Sequence, residues 1–134
     1  MRRHVLMLVF GVAISGAAVQ AHHAISAYHD AAKPVTLDAV ITRFHFVNPH
    51  PFLTVDVADR SGTTQSWKLE MDNRFELAAI GVTSDTLKPG DRIVVTGSLA
   101  RDQANSLYVR RLDRPADGFR YEQVGASPRI RRGA

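Results

Sequence analysis

Cysteine is absent from the 134-residue chain. Its absence excludes disulfides, thiolate metal sites and cysteine nucleophiles, but it is compatible with export, because an oxidising compartment permits disulfides without requiring them. Also missing are a phosphate-binding glycine loop, a dinucleotide fingerprint and any serine in a nucleophile-elbow context. The sequence therefore predicts a protein that is not an enzyme.

Residues 22–128 carry no net basic charge, although the whole chain has a formal net charge of +4. Five of the 17 Lys and Arg residues lie outside residues 22–128, which leaves 12 against all 13 Asp and Glu residues. A nucleic-acid binder needs a basic stripe that neutralises phosphates, so we expect no nucleic-acid partner. Residues 125–134 hold three of the arginines, and we interpret them as a disordered basic tail.

The first 21 residues have the order of a secretory signal peptide. Residues 1–4 are basic, residues 5–18 are apolar, and residues 19–21 (Val-Gln-Ala) fit the small-x-small pattern of a cleavage site. An anchored helix is the alternative, but a membrane span needs roughly 20 apolar residues. We predict cleavage after Ala21, with residues 16–18 as a second possible site. The mature protein is then periplasmic or secreted, and it meets the membrane only during export.

The mature chain is predicted to be one domain, residues 22–124, with enough length for one hydrophobic core and too little for two. Period-two alternation predicts strands at residues 35–47, 53–57, 67–71, 93–97 and 107–112, with a short addition at 119–124. The apolar phase flips between Ile41 and Phe44, which indicates a β-bulge. A capping-box pattern at Asn73 and Glu76 predicts a short helix after the third strand.

The order β-β-β-α-β-β predicts a mainly β fold. A small OB-like five-stranded barrel with one short helix fits this order best, because OB domains are partly open Greek-key barrels of five strands. A small open β-sandwich with the same strand order is the alternative.

Several short motifs follow one another in an order that resembles a known family. They are His22-His23, residues 33–37 (Lys-Pro-Val-Thr-Leu), residues 48–50 (Asn-Pro-His), residues 67–70 (Trp-Lys-Leu-Glu) and residues 87–91 (Leu-Lys-Pro-Gly-Asp). The chain resembles a family of small exported bacterial proteins of unknown function whose mature forms begin with a His-His-Ser-type motif. The third position of that motif is Ala24 here. The resemblance covers about residues 21–118, and it implies export and a compact β domain.

Histidine is concentrated near the predicted mature terminus. All five mature histidines precede residue 51, at His22, His23, His29, His45 and His50. Imidazole suits zinc and copper, and cleavage after Ala21 would give His22 a free α-amine that can join its imidazole in a chelate. The sequence thus suggests a metal site, with copper favoured over zinc, formed by His22 and His23 with His45 or His50. A solvated arm and ordinary strand or turn histidines are the alternatives.

A second candidate site is a ligand-binding rim. Asn48 and Pro49 begin an Asn-Pro-His-Pro segment at a strand end, where OB domains tend to bind ligands. Trp67 and Glu70 lie on the third predicted strand, although Trp67 also suits the core and Glu70 a solvated surface. Under this interpretation the protein is a non-catalytic module that binds a small ligand or an envelope protein.

Overall fold

The computed structural model describes residues 29–125 and 127–133. These residues form seven strands and one helix, in the order β1 (His29–His45), β2 (Phe52–Ala58), β3 (Thr64–Glu70), α1 (Arg74–Ala79), β4 (Arg92–Ala100), β5 (Ser106–Arg114), β6 (Phe119–Val124) and β7 (Ser127–Arg131). The prediction of a mainly β fold with one short helix is confirmed. Within this part of the chain, no helix has the length and apolar character needed to cross a membrane. The predicted signal peptide lies outside the described residues.

The first five strands form a closed cycle of pairings. β1 pairs with β2, β2 with β3, β5 with β4, and β4 with β1, all antiparallel, while β3 and β5 close the cycle in parallel. The 17-residue β1 serves two partners, and its register with β2 shifts between Ile41 and Arg43. This confirms the predicted bulge. Because a bulge bends its strand, β1 can leave β4 and continue along β2.

The core lies between these strands. Eight of their aliphatic side chains are at most 1% exposed: Ile41, Leu53, Val55, Leu69, Val95, Leu107, Val109 and Leu112. Full burial of each such side chain stabilises the fold by about 1.5–3 kcal/mol. α1 adds the buried Leu77, and Asn73 caps the helix by accepting a 2.9 Å hydrogen bond from the backbone N–H of Glu76. The predicted N-cap is thus confirmed.

β6 and β7 continue the sheet beyond β5, so the structure has seven strands where the sequence predicted a five-stranded barrel with a short addition at 119–124. β7 pairs antiparallel with β6 along its whole length. The structure therefore differs from the prediction of a disordered tail at residues 125–134. The physical reason is an apolar anchor among the arginines, because Pro128 is buried and Ile130 packs against the core.

Candidate functional site

His45 ends β1 within a stack of side chains on the polar face of β1–β3. It lies directly opposite Phe52, and the two rings stack with centroids 4.2 Å apart and planes 12° apart. The Lys68 ammonium lies over the same Phe52 ring, 4.8 Å from its centroid. His45 Nε2 is 3.1 Å from the Thr54 hydroxyl. Partial burial, with a smaller contribution from Arg43, lowers the pKa of His45, so its imidazole is neutral at pH 7.

The Asn-Pro-His-Pro segment connects β1 to β2 and is fixed by backbone hydrogen bonds. The Pro49 carbonyl accepts from the Arg74 N–H at 3.0 Å, and the Pro51 carbonyl accepts from the Met71 N–H at 2.9 Å. Asn48 and Pro49 are exposed, and the peptide bond between them is cis. The segment is therefore a rim held against the chain that follows β3.

His50 has one ring nitrogen engaged. Its Nδ1 is 2.8 Å from the Met71 carbonyl oxygen, which can only accept, so Nδ1 carries the proton. In a neutral ring Nε2 then has the free lone pair, which is the form that binds a metal. Oε1 of Glu70 lies 3.7 Å from the same Nδ1, and both side chains are about one-third exposed, at 33% and 29%. His50 and Glu70 thus form one partly exposed pair.

Glu70 also lies near His29, the first residue that the structure describes. It is opposite Phe52 on one side and Tyr108 on the other, and it lines a pocket of about 200 Å³ together with His29. His29 is 7% exposed, and its ring is 5.6 Å from that of Tyr108. Its buried Nδ1 has no hydrogen-bond partner among the described residues. Residues 22–28, which include His22 and His23, precede this point and lie outside the described residues.

Trp67 lies apart from this pair. It is opposite Val55, is half-buried and packs against the core, whereas Phe52 and Glu70 belong to the other face of β2 and β3. Of the candidates within the described residues, the structure therefore pairs His50 with Glu70, and Phe52 lies opposite both His45 and Glu70. Within residues 29–125 and 127–133, no group of three or more His, Asp and Glu side chains could hold a metal ion.

A buried carboxylate is the feature that the sequence did not reveal. Asp72 is 4% exposed and accepts hydrogen bonds from the hydroxyls of Tyr108 and Tyr121 and, at 2.8 Å, from the amide of Gln123. Burial, followed by the neighbouring Asp72 charge, raises the pKa of both tyrosines well above its usual range, so both hydroxyls keep their protons. These donors come from β5 and β6, about 36 to 51 residues away, a separation that no local pattern reports.

Residues 10–108 match a family described as a family of unknown function, DUF6152. The matched range ends within β5, before β6 and β7. Searches of the curated proteins and of the solved structures found no significant match to the chain. Because the family match covers more than half of the sequence, the chain belongs to the family of unknown function DUF6152.

Proposed function

We propose that the protein is an exported, non-catalytic, OB-like barrel that binds a transition metal ion, copper in preference to zinc. The metal would bind at the edge formed by His50 and Glu70, with further nitrogens from His22 and His23. The barrel part of the proposal is supported by the closed cycle of β1–β5, the bulged first strand and the helix between β3 and β4.

The observation that carries the metal proposal is the hydrogen bond from His50 to the Met71 carbonyl. Metal-binding histidines usually donate their second ring N–H to a carbonyl or carboxylate, which fixes the tautomer and the ring orientation. His50 meets this condition with its Nδ1–H, and Glu70 lies next to it with a carboxylate. The pair supplies one oriented nitrogen and one oxygen, so a stable site needs ligands from elsewhere.

We assign those further ligands to the residues that precede His29. His29 and Glu70 line the same small pocket, and Glu70 is adjacent to His50. His29 lies seven positions after His22, and an extended chain of that length spans at most about 25 Å. The α-amine created by cleavage after Ala21, with a reference pKa of about 7.7–8.0, would be a further nitrogen ligand near neutral pH.

The metal proposal is tested by titrating the exported, processed protein with Cu²⁺ and Zn²⁺ by calorimetry. Replacing both N-terminal histidines, or His50→Gln alone, should weaken Cu²⁺ binding by about tenfold or more, since each removes a direct ligand. His45→Gln is the matched control, because its ring is already stacked and hydrogen-bonded. Binding no tighter than high micromolar, or equal binding by all variants, contradicts the proposal.

Export and signal-peptide cleavage are tested by mass spectrometry of the recovered protein. Intact mass of the protein recovered from the periplasm should correspond to a chain that begins at His22. A protein retained in the cytoplasm at full mass contradicts export. A different mature start would remove the free amine of His22 from the site and leave only its imidazole.

A second candidate function is binding of a small ligand or an envelope protein through the face that carries Phe52. The half-buried Phe52 ring lies between His45 and Lys68, beside the loops after β1 and β4, where OB domains bind their ligands. A photo-crosslinking residue at position 68 should then give one discrete adduct in cells, and the same residue at Arg60 should give none. Phe52→Ser should abolish the adduct, while loss of His22 and His23 should leave it unchanged.

A further inference from the structure

Charged side chains form two rows across β5, β6 and β7. In the first row Arg111, Glu122 and Arg129 are directly opposite one another. In the second row Asp113, Arg120 and Arg131 are opposite one another, at the positions two residues along. Opposite charges facing across strands stabilise a sheet, whereas like charges directly opposite destabilise it.

The first row is electrostatically paired. Arg129 contacts Glu122 at 2.7 Å, and Arg111 contacts Asp113 in the neighbouring row at 2.6 Å. Each cation of this row therefore contacts a carboxylate, although Arg111 shares Asp113 with the second row.

The second row contains one carboxylate, Asp113, and two arginines, Arg120 and Arg131. Asp113 already accepts from Arg111 and also from Arg120, each at 2.6 Å. Arg131 is exposed, lies opposite Arg120 and has no ion-pair partner among the described residues. Within the part of the chain that the structure describes, the next residue, Arg132, donates one 3.4 Å hydrogen bond to the Gly81 carbonyl.

These arginines line one groove of about 630 Å³ between the β5–β6 turn and the end of β7. We call it the arginine groove, defined by Arg120, Arg131 and Arg132 with Gly118 and Gly133. Arg114 also lines it, but its guanidinium is held by Asp91 at 2.7 Å and Asp117 at 2.8 Å. Among the described residues that line it, Asp113 is the only carboxylate, so this part of the groove has an excess of positive charge.

The backbone that carries these arginines is fixed in place. Pro128 is buried and Ile130 packs against the core, which holds Arg131 opposite Arg120 despite the repulsion between them. Holding like charges together costs stability unless an anion joins them. Guanidinium groups suit phosphate because their planar forks donate two parallel hydrogen bonds to it.

We propose that the arginine groove binds a phosphate-bearing anion, with Arg131 and Arg132 as its principal donors. The inference is independent of the histidines and of metal binding, and it concerns strands beyond the residues that match the family. The phosphate could be free or carried by a lipid headgroup, since both present the same oxygens to the groove.

The test uses the full exported chain and two probes. Inorganic pyrophosphate is titrated by calorimetry, and co-sedimentation is measured with vesicles of phosphatidylglycerol and, separately, phosphatidylcholine. The double variant Arg131→Gln with Arg132→Gln should weaken binding by about tenfold or more. The control is Arg60→Gln with Arg92→Gln, which removes the same charge from exposed positions outside the groove and should change binding less than about twofold.

Binding of pyrophosphate identifies free phosphate as the ligand, and binding of phosphatidylglycerol vesicles alone identifies a headgroup; either supports the site. Equal losses in the two double variants would mean that net charge alone attracts the anion, which overturns the proposal. Absence of binding to both probes also overturns it. Arg131→Gln alone should raise the urea midpoint slightly, because it removes the repulsion with Arg120 and no ion pair.

Discussion

The cycle of β1–β5 and the β6–β7 hairpin are stabilised in different ways. The cycle encloses fully buried aliphatic side chains, whereas the hairpin is attached through a few apolar contacts, a buried carboxylate network and cross-strand ion pairs. The two regions also carry different chemistry, with histidine and aromatic groups on the cycle and arginines on the hairpin. The comparison teaches that a segment can be basic by composition and still be an ordered part of the sheet.

Removing the Asp72 carboxylate, which joins the two regions, has the largest expected effect on stability. Asp72→Ala should lower the free energy of unfolding by about 3 kcal/mol or more, because two buried tyrosine hydroxyls and the half-buried Gln123 amide lose their acceptor at about 1–3 kcal/mol each. Urea denaturation measures the change, with the exposed Asp85→Ala as the control, expected within about 0.5 kcal/mol. Equal effects of the two substitutions would show that the network does not attach the hairpin.

Replacing one glycine in each region by alanine tests how rigid the two backbones are. A Cβ on Gly97 in β4 would collide with the Tyr108 carbonyl oxygen and approach Leu107 Cδ1 to 2.5 Å, and a Cβ on Gly133 would collide with the Asp117 carbonyl oxygen. Gly97→Ala should cost about 2 kcal/mol, because core backbone cannot move aside. Gly133→Ala should cost less than about 0.5 kcal/mol, because the chain end can shift. Thermal unfolding of both variants measures the difference, and equal losses would contradict the proposed contrast in rigidity.

Ile130 tests whether β7 is held by packing. Ile130→Ala should lower the free energy of unfolding by about 1–2 kcal/mol, somewhat less than for a fully buried isoleucine. Val124→Ala, in the same hairpin but 47% exposed, should change it by less than about 0.5 kcal/mol. If Ile130→Ala had no effect in chemical denaturation, the tail would be solvated, as its composition alone suggests.

The smallest expected effect is the change of stability with pH, which differs between the two regions. The pKa of His45 is lower in the folded state than in the unfolded chain. Its contribution to the free energy of unfolding is therefore complete above about pH 6.5 and is lost as pH falls through the folded pKa. The hydrogen bond from Arg129 lowers the pKa of Glu122. The stability that Glu122 contributes to the hairpin is therefore lost only at pH values below about 4.5. Urea midpoints between pH 7.5 and 5 should therefore decline slightly, and less so in His45→Gln. An equal decline in the variant would exclude His45 as the cause.

Local pattern was sufficient for most of the secondary structure. Alternating apolar residues predicted β1 to β6, the phase flip predicted the bulge near Ile41, and Asn73 with Glu76 predicted the start of α1. These features depend on residues close together in the chain, so their physical causes are present in any short window. The strand at residues 127–131 was missed because Pro128 and Ile130 give too little alternation among arginines.

The sequence by itself determined a mainly β domain, its helix cap, its bulge and the concentration of histidine in residues 22–50. Only the tertiary structure decided which side chains meet. Glu70 reaches His50 and the pocket of His29, Trp67 faces the core, and Asp72 joins β5 to β6, because strand pairings bring together residues that are 20 to 50 positions apart. The arginine groove exists for the same reason, since only register places Arg131 opposite Arg120.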